Sequence, residues 1–157
     1  MNIVSAKILK LLKESLGDAR HINKFYMGNP RDLASADLPT IFVQPLSKEV
    51  EQLDNVNDLV TAEFMVGVAI DPAKYQNKDI NEDMATKTLM EIEGGRNSDG
   101  TPVEDSVSYV MRNNFYMENT VIFQSHRSVW GEREITGGVA IEVHSYFTVR
   151  IKVNNQS

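Results

Sequence analysis

The longest regular pattern in the sequence is a two-residue alternation over residues 139–153. Its odd positions, almost all apolar, are Val139, Ile141, Val143, Ser145, Phe147, Val149, Ile151 and Val153. Its even positions are mostly polar, and this period is typical of a β-strand with one buried side and one solvent-facing side. The strand would span roughly 50 Å, because each residue adds about 3.3 Å and most strands stop near 5–6 residues. We therefore expect long partner strands, or a strand that extends beyond its own domain.

The N-terminal residues 3–16 have the three-and-four spacing of an amphipathic helix. The apolar side consists of Val4, Ile8, Leu9, Leu12 and Leu16. Asn2 is a plausible N-cap, and Gly17 lies where the helix is expected to end. We favour packing of this helix on the core over attachment to a membrane or a target, because its cationic side is sparse.

A second helix is predicted over residues 79–93, with Asp79 and Glu82 as a capping box and Gly94-Gly95 as its end. Residues 103–111 carry a weaker helical pattern, since serine and β-branched residues interrupt it. Along the chain, the first helix would thus precede the early strands, and the later helices would separate those strands from the final hairpin.

Four further segments read as strands; they are residues 21–27, 40–46, 59–70 and 120–130. Pro45 cannot donate a ladder hydrogen bond, so we expect the strand at 40–46 to lie at a sheet edge. The acidic residues 47–58 are predicted to form an exposed hairpin tip or loop that joins two antiparallel neighbours. Residues 131–138, which end in Gly137-Gly138, are predicted to form a long connection rather than a two-residue turn.

This order of elements predicts an α+β fold. Groups of strands alternate with helices without a βαβ rhythm, so the sheet should be mainly antiparallel, with a long C-terminal hairpin and two or three flanking helices. A length of 157 residues is most simply one domain, residues 1–157.

Composition excludes several classes of function. The formal net charge of −6 disfavours a free-standing nucleic-acid-binding domain, which is usually basic. The sequence has no cysteine, which excludes disulfides, thiolate metal sites and a cysteine nucleophile. Lysines interrupt the apolar residues near the N-terminus, unlike a secretion signal, so we expect a cytoplasmic protein that does not enter a membrane.

The histidines indicate no reaction centre. His21, His126 and His144 share no local metal-ligand spacing. A metal site made by His126, His144 and Glu142 across the final hairpin is the alternative to an exposed polar pair, which we favour. Ser125 and His126 are neighbours on a strand, so they point to opposite faces and cannot act together. We expect no catalytic residue, no metal and no cofactor.

Several side chains on the final hairpin form a candidate interaction surface; they are Trp130, Arg133, His144, Tyr146 and Arg150. Tryptophan, tyrosine and arginine are enriched at interaction hot spots. For any one of these residues, an ordinary solvent-facing position in a face of mixed charge is the alternative.

The element order resembles that of the tail terminator (tail completion) proteins of long-tailed bacteriophages and, more loosely, that of their head–tail connector relatives. The similarity extends over an opening amphipathic helix, the strand entry LPTIFV at residues 38–43, an acidic interruption and a strand. A capped helix and a C-terminal hairpin that ends in YFTVRI at residues 146–151 follow.

The resemblance implies a homo-oligomeric ring, a hexamer, at the head-proximal end of the virion tail, assembled in the host cytoplasm. Such a ring caps the tail tube, stops its polymerisation and offers a surface to the head-completion or connector protein. The implied partners are other copies of the chain, the tail tube protein and the connector, with DNA only passing through the lumen and no membrane.

The sequence is compatible with such a ring. A ring needs a heterologous interface; the over-long strand could donate to it, and the edge at Pro45 could accept. Two alternatives remain: a neck adaptor of similar fold, and a small cytoplasmic enzyme whose site is assembled from distant residues.

Overall fold

The computed structural model describes residues 2–75, 84–113 and 121–154, and leaves out the side chains of residues 2–4 and 121–124. The helices in this part of the chain are α1 (Asn2–Leu16), α2 (Met84–Gly94) and α3 (Val107–Asn113). The strands are β1 (Lys24–Met27), β2 (Thr40–Gln52), β3 (Asn57–Ile70), β4 (Val121–Ile135) and β5 (Gly138–Asn154).

The strands form one sheet in the order β1-β2-β3-β5-β4. Only the β1–β2 pair is parallel, and the other three pairs are antiparallel. The predicted α+β class is therefore confirmed, together with its mainly antiparallel sheet and its long C-terminal hairpin, formed by β4 and β5.

The longest strand, β5, has a partner on both sides. It pairs with β3 from Asn154 back to Ile141, and with β4 from Ile151 back to Gly138. The expected long partner strands are therefore present within the protomer. The expectation that this strand donates an edge to a neighbour is wrong, because both of its edges are already occupied.

Two predicted connections are much shorter than expected. Residues 47–52 continue β2 and β3 begins at Asn57, so the predicted loop at 47–58 is mostly strand, with a four-residue tip. Residues 131–135 likewise continue β4, and Ile135 pairs with Gly138 across a two-residue turn that contains Gly137 at φ 92°. Charged, exposed side chains concealed the strand pattern in both segments, but backbone pairing with a long neighbour extends the strands through them.

The edge position of Pro45 is confirmed. β1 pairs with β2 only from Thr40 to Val43, so β2 from Gln44 onwards has a strand partner on one side. The register of the β2–β3 pair shifts between Pro45 and Ser47. A missing N–H is tolerated here because this part of the strand has an open outer side.

The main core lies between one face of the sheet and the three helices. The odd positions of β5 face it, and Val143, Phe147 and Val149 are fully buried there. From α1, the buried residues Ile8, Leu12 and Leu16 join this cluster, which confirms core packing for that helix. Because the odd positions of β5 face the core, the register expected for the final strand is confirmed as well.

The alternation predicted that the opposite face of the sheet is exposed to solvent, but part of this face is covered. Over the first half of β5 this face is covered by a smaller apolar cluster; its members are Leu33, Leu38, Phe42, Met65, Ala69 and Ala140. The chain between β1 and β2 supplies Leu33 and Leu38, so a loop forms a partial second layer. The residues that cover this face are far from β5 in the sequence, so the alternation within β5 could not predict them.

The two weaker helix predictions have different outcomes. The described part of α2 begins at Met84, and Asp79 and Glu82, proposed as its capping box, lie outside the described residues. The predicted C-terminal end is confirmed within a residue, since α2 ends at Gly94. The short third helix is present but shifted, because α3 covers Val107–Asn113.

Candidate functional site

Arg133 connects the final hairpin to the loop that covers the second face. Its Nε donates to Oε2 of Glu142 at 2.6 Å, and its Nη1 donates to the carbonyl oxygen of Pro30 at 2.6 Å. Nη2 donates to Oδ1 of Asn29 at 2.5 Å, and the guanidinium lies 5.2 Å from the ring centroid of Phe42. Only 15% of the side chain is exposed. All of these contacts are internal, so Arg133 orders the loop and is a poor candidate for direct contact with a partner.

Glu142 is the buried acid at the centre of this group. Besides Arg133, it meets His144, whose Nε2 lies 2.9 Å from Oε1. Burial raises the pKa of Glu142, but the hydrogen bonds and positive charge of His144 and Arg133 outweigh it and hold the pKa below its usual range. The imidazole of His144 is also edge-on to Phe42 at 5.8 Å between ring centroids. We call Arg133, Glu142, His144 and Phe42 the arginine cluster.

The other predicted surface residues lie in different places. Tyr146 is on the same face as His144, and the guanidinium of Arg127 lies 4.7 Å from its ring centroid. Arg150 is exposed and lies on that face too, four residues further along β5. Trp130 pairs with Val143 and so projects from the opposite face, with 45% of its surface exposed. The structure thus brings Arg133, His144 and Tyr146 together, but separates Trp130 from them.

A second polar group joins α2 to the final hairpin. Oε1 of the buried Glu93 accepts a hydrogen bond from Oγ of Ser128 at 2.6 Å and lies 3.1 Å from Nε2 of His126. Oγ of Ser128 is also 3.1 Å from Oγ of Ser145, and His126 stacks on Phe147 with 4.6 Å between ring centroids. We call Glu93, His126, Ser128 and Ser145 the glutamate cluster.

Glu93 is ionised at neutral pH in this setting. Burial raises its pKa, but hydrogen bonds from His126 and Ser128, the charge of His126 and a hydrogen bond from Ser108 together hold the pKa below its usual range. An acid with this many partners stabilises the contact between α2 and the sheet. Sequence analysis missed it because Glu93 and His126 are far apart in the chain and on different elements.

The glutamate cluster lies beside a cavity of about 500 Å³, whose lining includes Arg96, Tyr109 and Arg112. A serine, a histidine and an acid next to a cavity suggest nucleophilic catalysis, but the connections differ from those of a catalytic triad. In a triad, one ring nitrogen meets the serine and the other meets the acid. Here Nε2 of His126 lies close to both Oγ of Ser128, at 3.0 Å, and Glu93. This arrangement differs from a triad, and it connects α2 to the final hairpin.

The metal site considered from the sequence is not formed. His126 pairs with Phe147 on the helix-covered face, whereas His144 lies in the arginine cluster on the other face. The two imidazoles are therefore separated by the sheet. Within residues 2–75, 84–113 and 121–154, no group of three or more metal-ligating side chains could hold an ion.

The outer half of the β2–β3 hairpin carries a group of exposed apolar side chains. Its outer half includes four large apolar residues with at least a third of their surface exposed, namely Leu46, Val50, Leu53 and Val56. The exposed acids Glu49 and Glu51 alternate with them along β2. Exposed apolar side chains that are grouped on one element are typical of a protein–protein contact.

Comparison with known proteins gives no family for the chain. No family model matches it, and no curated protein matches it significantly. None of the described helices is long and apolar enough to cross a membrane.

Proposed function

We propose that this chain is a structural tail terminator of a long-tailed bacteriophage. Copies of it form a ring that caps the tail tube, stops its polymerisation and provides the surface for head attachment. The observation that carries the proposal is the outer half of the β2–β3 hairpin, whose exposed Val50 and Leu53 belong to a protomer with a core of its own. A subunit built for assembly needs such a surface, whereas an isolated monomer is less soluble because of it.

The fold supports the proposal through its element order. An amphipathic helix, a short strand, a β-hairpin, two helices and a long C-terminal hairpin follow one another along the chain, an order similar to that on which the resemblance rests. The interface that we assign differs from the one suggested by the sequence, because β5 is an inner strand. The ring contact is assigned to the β2–β3 hairpin instead.

The charges fit a ring around DNA. A net charge of −6 per copy weakens adhesion to the phosphate backbone, which must pass through the lumen without being gripped. Partner contacts with the tube and the connector are assigned to Trp130, Tyr146 and Arg150. Of the arginine cluster, His144 lies beside Tyr146, with 6.5 Å between the ring centroids.

Electron microscopy of the purified chain mixed with tail tube protein tests this function. We expect rings at one end of each tube, and tubes of limited length. Tube protein alone is the control and should give tubes of uncontrolled length. Rings that bind connector and ignore tube ends would identify a neck adaptor, whereas a chain that stays monomeric and leaves the tubes unchanged would contradict both assembly roles.

A further inference from the structure

The tip of the β2–β3 hairpin is a preformed turn. Oδ1 of Asp54 accepts hydrogen bonds from the backbone N–H groups of Val56 and Asn57, both at 2.8 Å. The side-chain amide of Asn57 adds a contact of 3.1 Å to Oδ2, and the backbone N–H of Leu53 donates to the carbonyl oxygen of Asn57 at 3.0 Å. These bonds lower the pKa of Asp54, so the turn is held by an ionised carboxylate. A rigid turn loses little entropy when it binds.

The turn presents apolar side chains, with acidic side chains next to them in the sequence. Leu53 and Val56 are exposed at 47% and 38%, and Val50 is exposed beside them. Glu49 and Glu51 are exposed on the same stretch of β2. We call residues 49–56 the hairpin tip. A surface of this kind fits an apolar groove with a basic rim.

The chain carries a groove of that chemistry between α1 and β1. It has a volume of about 750 Å³ and is lined in part by the partly buried Ile22 and Phe25. Three lysines, Lys10, Lys13 and Lys24, also line it, against two acids. Lys10 lies 4.0 Å from Glu14, so the groove keeps one net positive charge, in a chain with a net charge of −6. We call it the α1–β1 groove.

The hairpin tip cannot reach the groove of its own chain. β1 pairs with β2 beginning at Thr40, whereas the hairpin tip lies around the far end of β2, which is Gln52. Twelve residues of strand separate these points by about 40 Å, since each residue adds about 3.3 Å. Tip and groove therefore lie at opposite ends of the sheet. Two different surfaces at opposite ends are what a heterologous, head-to-tail contact requires.

We infer that the hairpin tip of one copy docks in the α1–β1 groove of the next copy. Leu53 and Val56 then cover Ile22 and Phe25, while the acids of the tip meet the lysines of the rim. The outer edge of β1 borders the groove and has no strand partner among the described residues, so backbone groups are also available there. This contact rests on the proposed function, which requires a ring. A head-to-tail contact closes into a ring when each copy is rotated by a fixed angle relative to the previous copy.

Cysteine cross-linking tests the contact directly, because the natural chain has no cysteine. Leu53→Cys and Lys24→Cys, both at exposed positions, are combined in one chain and treated with a short bismaleimide. We expect a ladder of covalent oligomers, since the two thiols are far apart within one copy and close between copies. The matched control combines Leu53→Cys with Met90→Cys on α2, where the exposed side chain lies outside the groove. No ladder, or an equal ladder from the control, would overturn the contact.

A charge swap adds a reversible test. Glu51→Lys or Lys13→Glu alone should shift the chain towards monomer in sedimentation, and the double variant should recover the larger species. Glu104→Lys, at an exposed position away from both surfaces, is the control and should leave the distribution unchanged. Failure of the double variant to recover, with both single variants folded, would count against the pairing of these surfaces.

The result separates this contact from the proposed function. Rings that cross-link through Leu53 and Lys24 but leave tubes uncapped would retain the contact and reject tail termination. Rings that cap tubes but cross-link only through other positions would retain termination and reject the contact.

Discussion

Arg133 and Glu142 face each other across the final hairpin, with 2.6 Å between Nε and Oε2, and both side chains are nearly enclosed. The pair is shielded by the loop whose Pro30 and Asn29 the same guanidinium binds. One arginine therefore neutralises a buried acid and anchors the cover of the second apolar cluster. This makes Arg133 part of the folded scaffold, although its residue type and its position on the hairpin suggested a partner contact.

Arg133→Ala should lower the free energy of unfolding by about 3–5 kcal/mol, as expected when one partner of a buried ion pair is removed. Glu142 would keep only His144, and the loop would lose two hydrogen bonds. Arg150→Ala is the matched control, and at an exposed position it should change stability by less than about 0.5 kcal/mol. Urea unfolding of both variants measures this. Equal, small effects would show that the arginine cluster contributes little.

Stability should fall in acid because of Glu93 and Glu142. In the folded state both have a pKa below that of an ordinary glutamate, so the unfolded chain binds more protons than the folded chain in acid. Their contribution is complete above the unfolded pKa and is lost as the pH falls through the folded pKa. Denaturant unfolding from neutral pH to below the pKa of an ordinary glutamate measures this slope. Glu93→Gln and Glu142→Gln should each flatten it, and a slope unchanged in the double variant would contradict the assignment.

Phe147→Ala should cost about 3–5 kcal/mol, because it removes a fully buried ring and leaves a cavity. Tyr146→Ala should cost clearly less in the isolated protomer, since Tyr146 lies on the opposite face and is partly exposed. Urea unfolding curves rank the two. The reverse order would mean that β5 is shifted by one residue relative to this register.

The alternation of β5 was sufficient to predict its register, and the order of elements was sufficient to predict the fold class. The ends of β2 and β4 were not predictable, because exposed strand halves with Glu49 and Glu132 look like loops until a long neighbour pairs with them. Both polar clusters were hidden for a related reason. Glu93 meets His126, and Arg133 meets Pro30, only through tertiary packing, and no local spacing marks such contacts.

Gly67→Ala should destabilise the protomer by about 1–3 kcal/mol, the usual cost of overpacking a core. A Cβ at Gly67 would overlap the ring of the fully buried Phe42, and the guanidinium of Arg133 lies over that same ring. Thermal unfolding measures the loss. Phe42→Leu in the Gly67→Ala background should cost less than Phe42→Leu alone, because the smaller side chain leaves room for the new methyl group. Simple addition of the two losses would contradict the steric explanation.

Trp130→Ala and Arg150→Glu should disturb tail termination without loss of folding. Both side chains are exposed, so neither change leaves a cavity or an unpaired buried charge. We therefore expect their effects to fall on the proposed contacts with partners. Tube length by electron microscopy is the measurement, with the unfolding curve of each variant as the check on folding. His21→Gln, in an exposed turn away from the final hairpin, is the matched control and should leave tube length unchanged. Normal tube length with both hairpin variants, combined with uncontrolled length in a well-folded His21→Gln chain, would move the partner surface away from β4 and β5.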